Sequence, residues 1–122
     1  MTRRLLALAG LFCIALAAQG APAAAQDNYG AIAFSTGSGA HGWANDYGSR
    51  GGAENAALEQ CGRGCRVVLW FKNACGALAT ASDNSYGTGW SGSRRAAETI
   101  AMRNCYARGS GCGILRWVCT TR

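Results

Sequence analysis

The sequence predicts one small α+β domain: a single mixed or antiparallel sheet made from two strand–strand–helix–strand halves, with both helices on one face and three disulfides. Three observations lead there. A helix-like stretch occurs twice, as Ser49-Arg50-Gly51-Gly52-Ala53-Glu54 through Cys61 and as Ser93-Arg94-Arg95-Ala96-Ala97-Glu98 through Cys105. Short β-type runs flank each copy. The 97 residues from Gln26 onward hold six cysteines, an even number in a chain long enough for one core and too short for two.

Residues 1–25 have the pattern of a cleaved export signal. Arg3 and Arg4 precede the apolar run from Leu5 to Ala18, and Ala23-Ala24-Ala25 supplies small residues before the expected new start at Gln26. The run is shorter than the ~20 residues a spanning helix needs. No apolar run after Ala25 is longer, so the processed domain, 26–122, is expected to be periplasmic or secreted, with no membrane insertion.

That domain carries ten Arg/Lys against six Asp/Glu, a net charge of +4. The balance favours an acidic partner, but the basic residues are scattered, and only Arg94 and Arg95 are adjacent.

The duplication extends over about 29–75 and 76–119. Gly30-Ala31-Ile32-Ala33 matches Gly76-Ala77-Leu78-Ala79, and Cys65 to Trp70 matches Cys112 to Trp117. Gly42-Trp43 is paired with Gly89-Trp90. In each helix a serine hydroxyl is placed to cap the first turn. Ala53, Ala57 and Cys61, and again Ala97, Ala101 and Cys105, form a narrow apolar stripe at helical period. Such small side chains predict a helix lying close to its sheet. Arg66–Asn73 is the strongest strand; apolar on both faces, it is expected to be central. Gly113–Cys119 repeats it with Arg116 intruding, which points to a more exposed position. Thr36–Gly42 and Tyr86–Gly92 lack apolar periodicity and are expected to be turns.

Six cysteines allow fifteen pairings. The duplication narrows them to Cys61–Cys65 and Cys105–Cys112 within the halves, and Cys75–Cys119 as a tie between the halves. The spacings are not those of paired zinc ligands. Cys61 and Cys105 close helices rather than open them, unlike the thiolate of a thiol–disulfide oxidoreductase. No metal and no cofactor is expected.

His41 is the only histidine and is expected in a turn. A small hydrolase using His41 with Asp46 and a serine is the enzymatic alternative; the favoured reading is non-enzymatic. Glu54 and Glu98 recur as helix positions, where they meet Arg50 and Arg94 as ion pairs. Trp70 and Trp117 are expected in the core. Trp43, Tyr47, Tyr86 and Trp90, with Arg94 and Arg95, are expected to line a binding surface, because interface energy concentrates in Trp, Tyr and Arg. Single-stranded nucleic acid is not the favoured partner, since the charge is dispersed rather than gathered along a groove.

The motifs Y-G-A-I-A, S-R-x-x-A-E-x-x-A-L-x-x-C, C-x-V-V-x-W-F-x-N-x-C-x-A-L-A, a second S-R-x-x-A-E helix and a final W-V-C cover Tyr29 to Cys119. Together they resemble the exported bacterial domain of unknown function numbered 4189. The resemblance implies a small, exported, cysteine-rich domain, in some members linked to pathogens or to competition between bacteria. It transfers no catalytic residue. The combined expectation is a protein-binding or inhibitory module of the cell envelope, such as an immunity protein with an acidic-surfaced envelope or secreted protein as partner. The alternative is a secreted, virulence-associated effector. Oligomeric state stays open.

Overall fold

The computed structural model describes residues 26–122; the export signal expected at 1–25 lies outside them. The elements follow in the order β1 (Tyr29–Phe34), β2 (His41–Tyr47), α1 (Arg50–Cys61), β3 (Arg66–Lys72), β4 (Cys75–Thr80), β5 (Tyr86–Ser91), α2 (Arg94–Tyr106) and β6 (Gly113–Cys119). The α+β class and the strand–strand–helix–strand repeat are as the sequence predicts.

The strands do not join into one sheet. Each half closes its own three-stranded antiparallel sheet, in the orders β2-β1-β3 and β5-β4-β6. The middle strands β1 and β4 are apolar on both faces, and that double face sets the layering. Ala31 and Ala33 pack under Ala53, Ala57 and Cys61 of α1, and Ala77 and Ala79 pack under Ala97, Ala101 and Cys105 of α2. Ile32, Phe34 and Leu78 point the other way and, with Phe71, Ala74 and Val118, form the core between the sheets. The helices therefore cover opposite outer faces of a two-sheet sandwich instead of sharing one face.

Ser49 and Ser93 cap the helices, their hydroxyls accepting from the N–H of Gly52 and Ala96. Close approach is enforced by glycine in the sheet. A Cβ at Gly42 would strike the backbone of Ala57 and Cys61, and one at Gly87 the backbone of Ala101 and Cys105. This explains why Tyr86–Gly92, expected as a turn, is strand β5: its glycines admit the helix rather than bend the chain. His41 likewise opens β2 and is not in a turn. Strand register also revises the repeat alignment. Ala33 faces Gly42 and Ala79 faces Gly87; Ile32 faces Trp43 and Leu78 faces Thr88. The counterpart of Trp43 is Thr88, not Trp90, and that of His41 is Tyr86.

Cysteines pair as Cys61–Cys65, Cys105–Cys112 and Cys75–Cys119. The third bridge does not tie the halves together. Cys75 opens β4 and sits directly across from Cys119 of β6, so the bridge staples the second sheet internally. The halves are joined through Asn73 and Ala74. Asn73 donates its N–H to the Asn28 carbonyl at 2.9 Å and accepts from the Asn28 N–H at 2.8 Å. Asn28 Nδ2 in turn donates to Thr121 Oγ1 at 3.2 Å, and Thr120 N–H donates to the Ala74 carbonyl at 2.9 Å.

Candidate functional site

Two edges of the sandwich result from this stacking: β3 beside β5 on one side, and β2 beside β6 on the other. A strand at the edge of a sheet keeps half its backbone N–H and C=O groups without a ladder partner. The sequence expectation that β3 is central is therefore corrected, because β1 takes the middle place in a sheet of only three strands.

The β3–β5 edge carries an apolar groove of about 400 Å³ lined by Val68, Leu69, Trp70, Phe71, Lys72 and Trp90. Trp90 stands 60 % exposed at its rim and Trp70 is 40 % exposed. Trp70 and Trp117, expected in the core, instead lie on the edge strands under arginine. The Arg50 guanidinium carbon sits 4.4 Å from the Trp70 ring centre and that of Arg94 sits 3.7 Å from Trp117. Each arginine is also ion-paired four residues on, with Glu54 and Glu98 at 2.5 Å. Arg94 is thus engaged in the same structural contact as its counterpart Arg50.

Val68 also lines a second, more polar recess of about 430 Å³ with Tyr86, Gly87, Thr88, Asn104, Ala107 and Arg108. Arg66 Nη2 donates to the Tyr86 hydroxyl at 2.9 Å, and the Arg108 guanidinium carbon lies 5.7 Å from the Tyr86 ring centre. The ion pairs among the described residues are Arg50–Glu54, Lys72–Asp27 and Arg94–Glu98. Among the described residues, then, neither Arg66 nor Arg108 is ion-paired with a carboxylate.

The opposite edge is closed. Arg116, the counterpart of Leu69, lies 3.7 Å over Trp43 and donates from Nε to His41 Nε2 at 3.2 Å. The His41 ring stacks on Trp43 at 5.8 Å. Burial, and then the positive charge of Arg116, hold the His41 pKa below its ordinary value. Its neighbour is a cation where a catalytic relay would place a carboxylate. Asp46 accepts instead from the N–H and hydroxyl of Thr121, at 2.8 and 3.2 Å. Among the described residues no three His, Cys, Asp or Glu side chains gather as a metal site.

The six residues expected to share a surface are divided. Trp43 and Tyr47 border a shallow polar recess with Asn45, Glu59 and Gln60, between β2 and α1. Tyr86 and Trp90 lie along the other edge, Arg94 covers Trp117, and Arg95 is exposed on α2. The six thus fall into two separated pairs, Trp43 with Tyr47 and Tyr86 with Trp90, with Arg94 and Arg95 apart from both. The residues that join the second pair, Arg66, Leu69, Trp70 and Arg108, escaped the sequence reading. One signal was available: Leu69 and Arg116 occupy equivalent places and differ in polarity.

A family model for a domain of unknown function, DUF4189, matches residues 29–119. Protein Rv1269c of Mycobacterium tuberculosis is 42 % identical over 96 residues, covering 78 % of this chain and 72 % of that protein. Protein Mb1300c of Mycobacterium bovis matches with the same figures. The NMR structure of Rv1813c from Mycobacterium tuberculosis aligns with a TM-score of 0.58 at 35 % identity, over 75 % of this chain and 74 % of that one.

Proposed function

The chain belongs to the DUF4189 family, and from that premise we propose that it is an exported, disulfide-stabilised module of the cell envelope that acts by binding another protein. The observation carrying this reading is the β3–β5 groove. An exposed tryptophan at the rim of an apolar groove, on a strand edge with free backbone groups, is the kind of surface at which interface energy concentrates. The compartment is supported by the three disulfides, which persist in oxidising, extracytoplasmic surroundings. No described helix is long and apolar enough to cross a membrane.

Cys61–Cys65 ties the start of β3 to the end of α1, so little ordering entropy is lost at this edge on association. A rigid, basic, protein-sized wedge suits inhibition of a partner with an acidic cleft, and an immunity protein against an envelope-directed toxin is the form of the reading we favour. The test is capture from envelope extracts with oxidised wild-type protein and the Trp90→Ala variant. A specific protein retained by the wild type, and held at least ~10-fold more weakly by a variant with unchanged melting temperature, is the expected result. Retention of no protein above a control of unrelated sequence overturns the binding-module reading.

A further inference from the structure

Resting on that reading, we propose that the β3–β5 edge is the docking site for an extended, acidic segment of the partner protein, which lies along β3 with an apolar side chain in the Leu69–Trp90 groove and a carboxylate between Arg66 and Arg108. Three features converge on this occupant. First, β3 ends its sheet, so its outward backbone groups offer the hydrogen-bonding ladder that an added strand uses. Second, the apolar groove and the polar recess adjoin at Val68, which lines both. Arg66 and Leu69 lie on the same face of β3, across from Phe34 and Ile32 with a bulge between them, so residues two apart on one face of an added strand meet both. Third, the recess is cationic and uncompensated. Arg66 and Arg108 flank Tyr86 with no ion-pair partner among the described residues, and the Asn104 side-chain amide fixes the β5 edge by donating to the Thr88 carbonyl at 2.7 Å. A carboxylate is the small anionic group a peptide carries, and guanidinium groups hold it through charge-assisted hydrogen bonds.

The equivalent edge makes the contrast. There Arg116 fills the space that Leu69 leaves open, and Asp46 is hydrogen-bonded to Thr121. The duplicated fold thus offers one such groove, not two.

The test uses the oxidised protein, labelled with ¹⁵N, and three probes. One is a synthetic peptide of about six residues with Phe and Glu two apart, so that both share one face, and Thr at the other positions, matched to the length of a strand. The second replaces each Glu by Lys. The third is an oligothymidylate. The expected result is saturable shifts of the amides of Arg66–Lys72 and Tyr86–Trp90 with the acidic peptide, weakened by salt. Arg66→Glu and Arg108→Glu are each expected to lower that affinity at least ~10-fold while the spectrum stays dispersed. Trp90→Ala is a second variant acting on the apolar half alone.

Equal binding of the lysine peptide, shifts mapping to another face, or no shifts overturn the proposal. So does oligothymidylate binding the same face more tightly than the acidic peptide, which points to nucleic acid. The two readings fail separately. If an envelope protein is captured and its retention is indifferent to Arg66→Glu and Arg108→Glu, this assignment falls and the binding module stands.

Discussion

The first repeat and the second share their helix-side machinery and differ where the two sheets meet. Ser49 and Ser93 cap, Arg50 and Arg94 stack on Trp70 and Trp117, and alanine and cysteine stripes pack on small sheet residues in both. Across the intersheet layer the equivalences fail. Phe71 stands where the second repeat has Val118, and Leu69 where it has Arg116. On the helix side one pair also departs, Tyr29 facing Lys72 where the second repeat has Cys75 facing Cys119. Helix packing on a sheet is the same problem solved twice. The space between two copies is a single space, and two identical large side chains cannot both occupy it. One phenylalanine takes the middle: a Cβ at either Gly30 or Gly76, themselves equivalent, would collide with the Phe71 ring.

The largest expected effect breaks this asymmetry at its centre. Phe71→Ala should cost about 3–5 kcal/mol by denaturant unfolding, and Val118→Ala about 2 kcal/mol. Equal costs would mean that the middle is shared after all. Next come the disulfides, through loop-closure entropy. Removing Cys75–Cys119, whose ends are 44 positions apart in sequence, should cost about 4 kcal/mol, against about 2 kcal/mol for Cys61–Cys65. The reverse ranking would show that the short bridge holds α1 against β3 by more than entropy.

A smaller effect sharpens the symmetric part. Double-mutant cycles on Arg50–Trp70 and Arg94–Trp117 should each return about 0.5–1 kcal/mol. Values differing several-fold would make one pair a binding contact rather than a fold contact. The smallest is a slope. The folded His41 pKa is lowered, so the unfolded chain binds a proton first as the pH falls through the ordinary histidine range. Stability present above that range is lost on acidification. His41→Gln should flatten this part of the melting-temperature profile between about pH 7 and 5, and an unchanged profile would remove His41 from the account.

Much of this was legible in the chain. Cysteines at matching offsets pointed to the two short bridges and left Cys75 and Cys119 as the remaining pair, and the alanine stripes marked the buried helix faces, because short loops and helical period are local properties. What escaped depends on partners distant in sequence. Val67 to Phe71 is apolar on both sides, and nothing local distinguishes a central strand from an edge strand whose exposed tryptophan lies under an arginine from a helix. Gly87 and Gly89 resemble turn residues until α2 is seen pressing on them. The candidate site was legible only in part. Trp90 and Tyr86 were found by residue type, but Arg66 and Arg108 meet at Tyr86 only through the packing of β3 and α2 against β5.

The hydrogen bond between Asn28 and Thr121, beside the Asn73–Ala74 link, has a consequence for chain order. Where the first repeat hands over to the second, and where the second ends beside the start of the first, the backbone is in the same neighbourhood. The fold is therefore nearly a closed ring, and its two units have no obligatory sequence of before and after. A chain opened between Lys72 and Cys75 and spliced from Thr121 to Asp27 by a few residues would keep all four strand pairings and all three disulfides, exchanging only which repeat leaves the ribosome first.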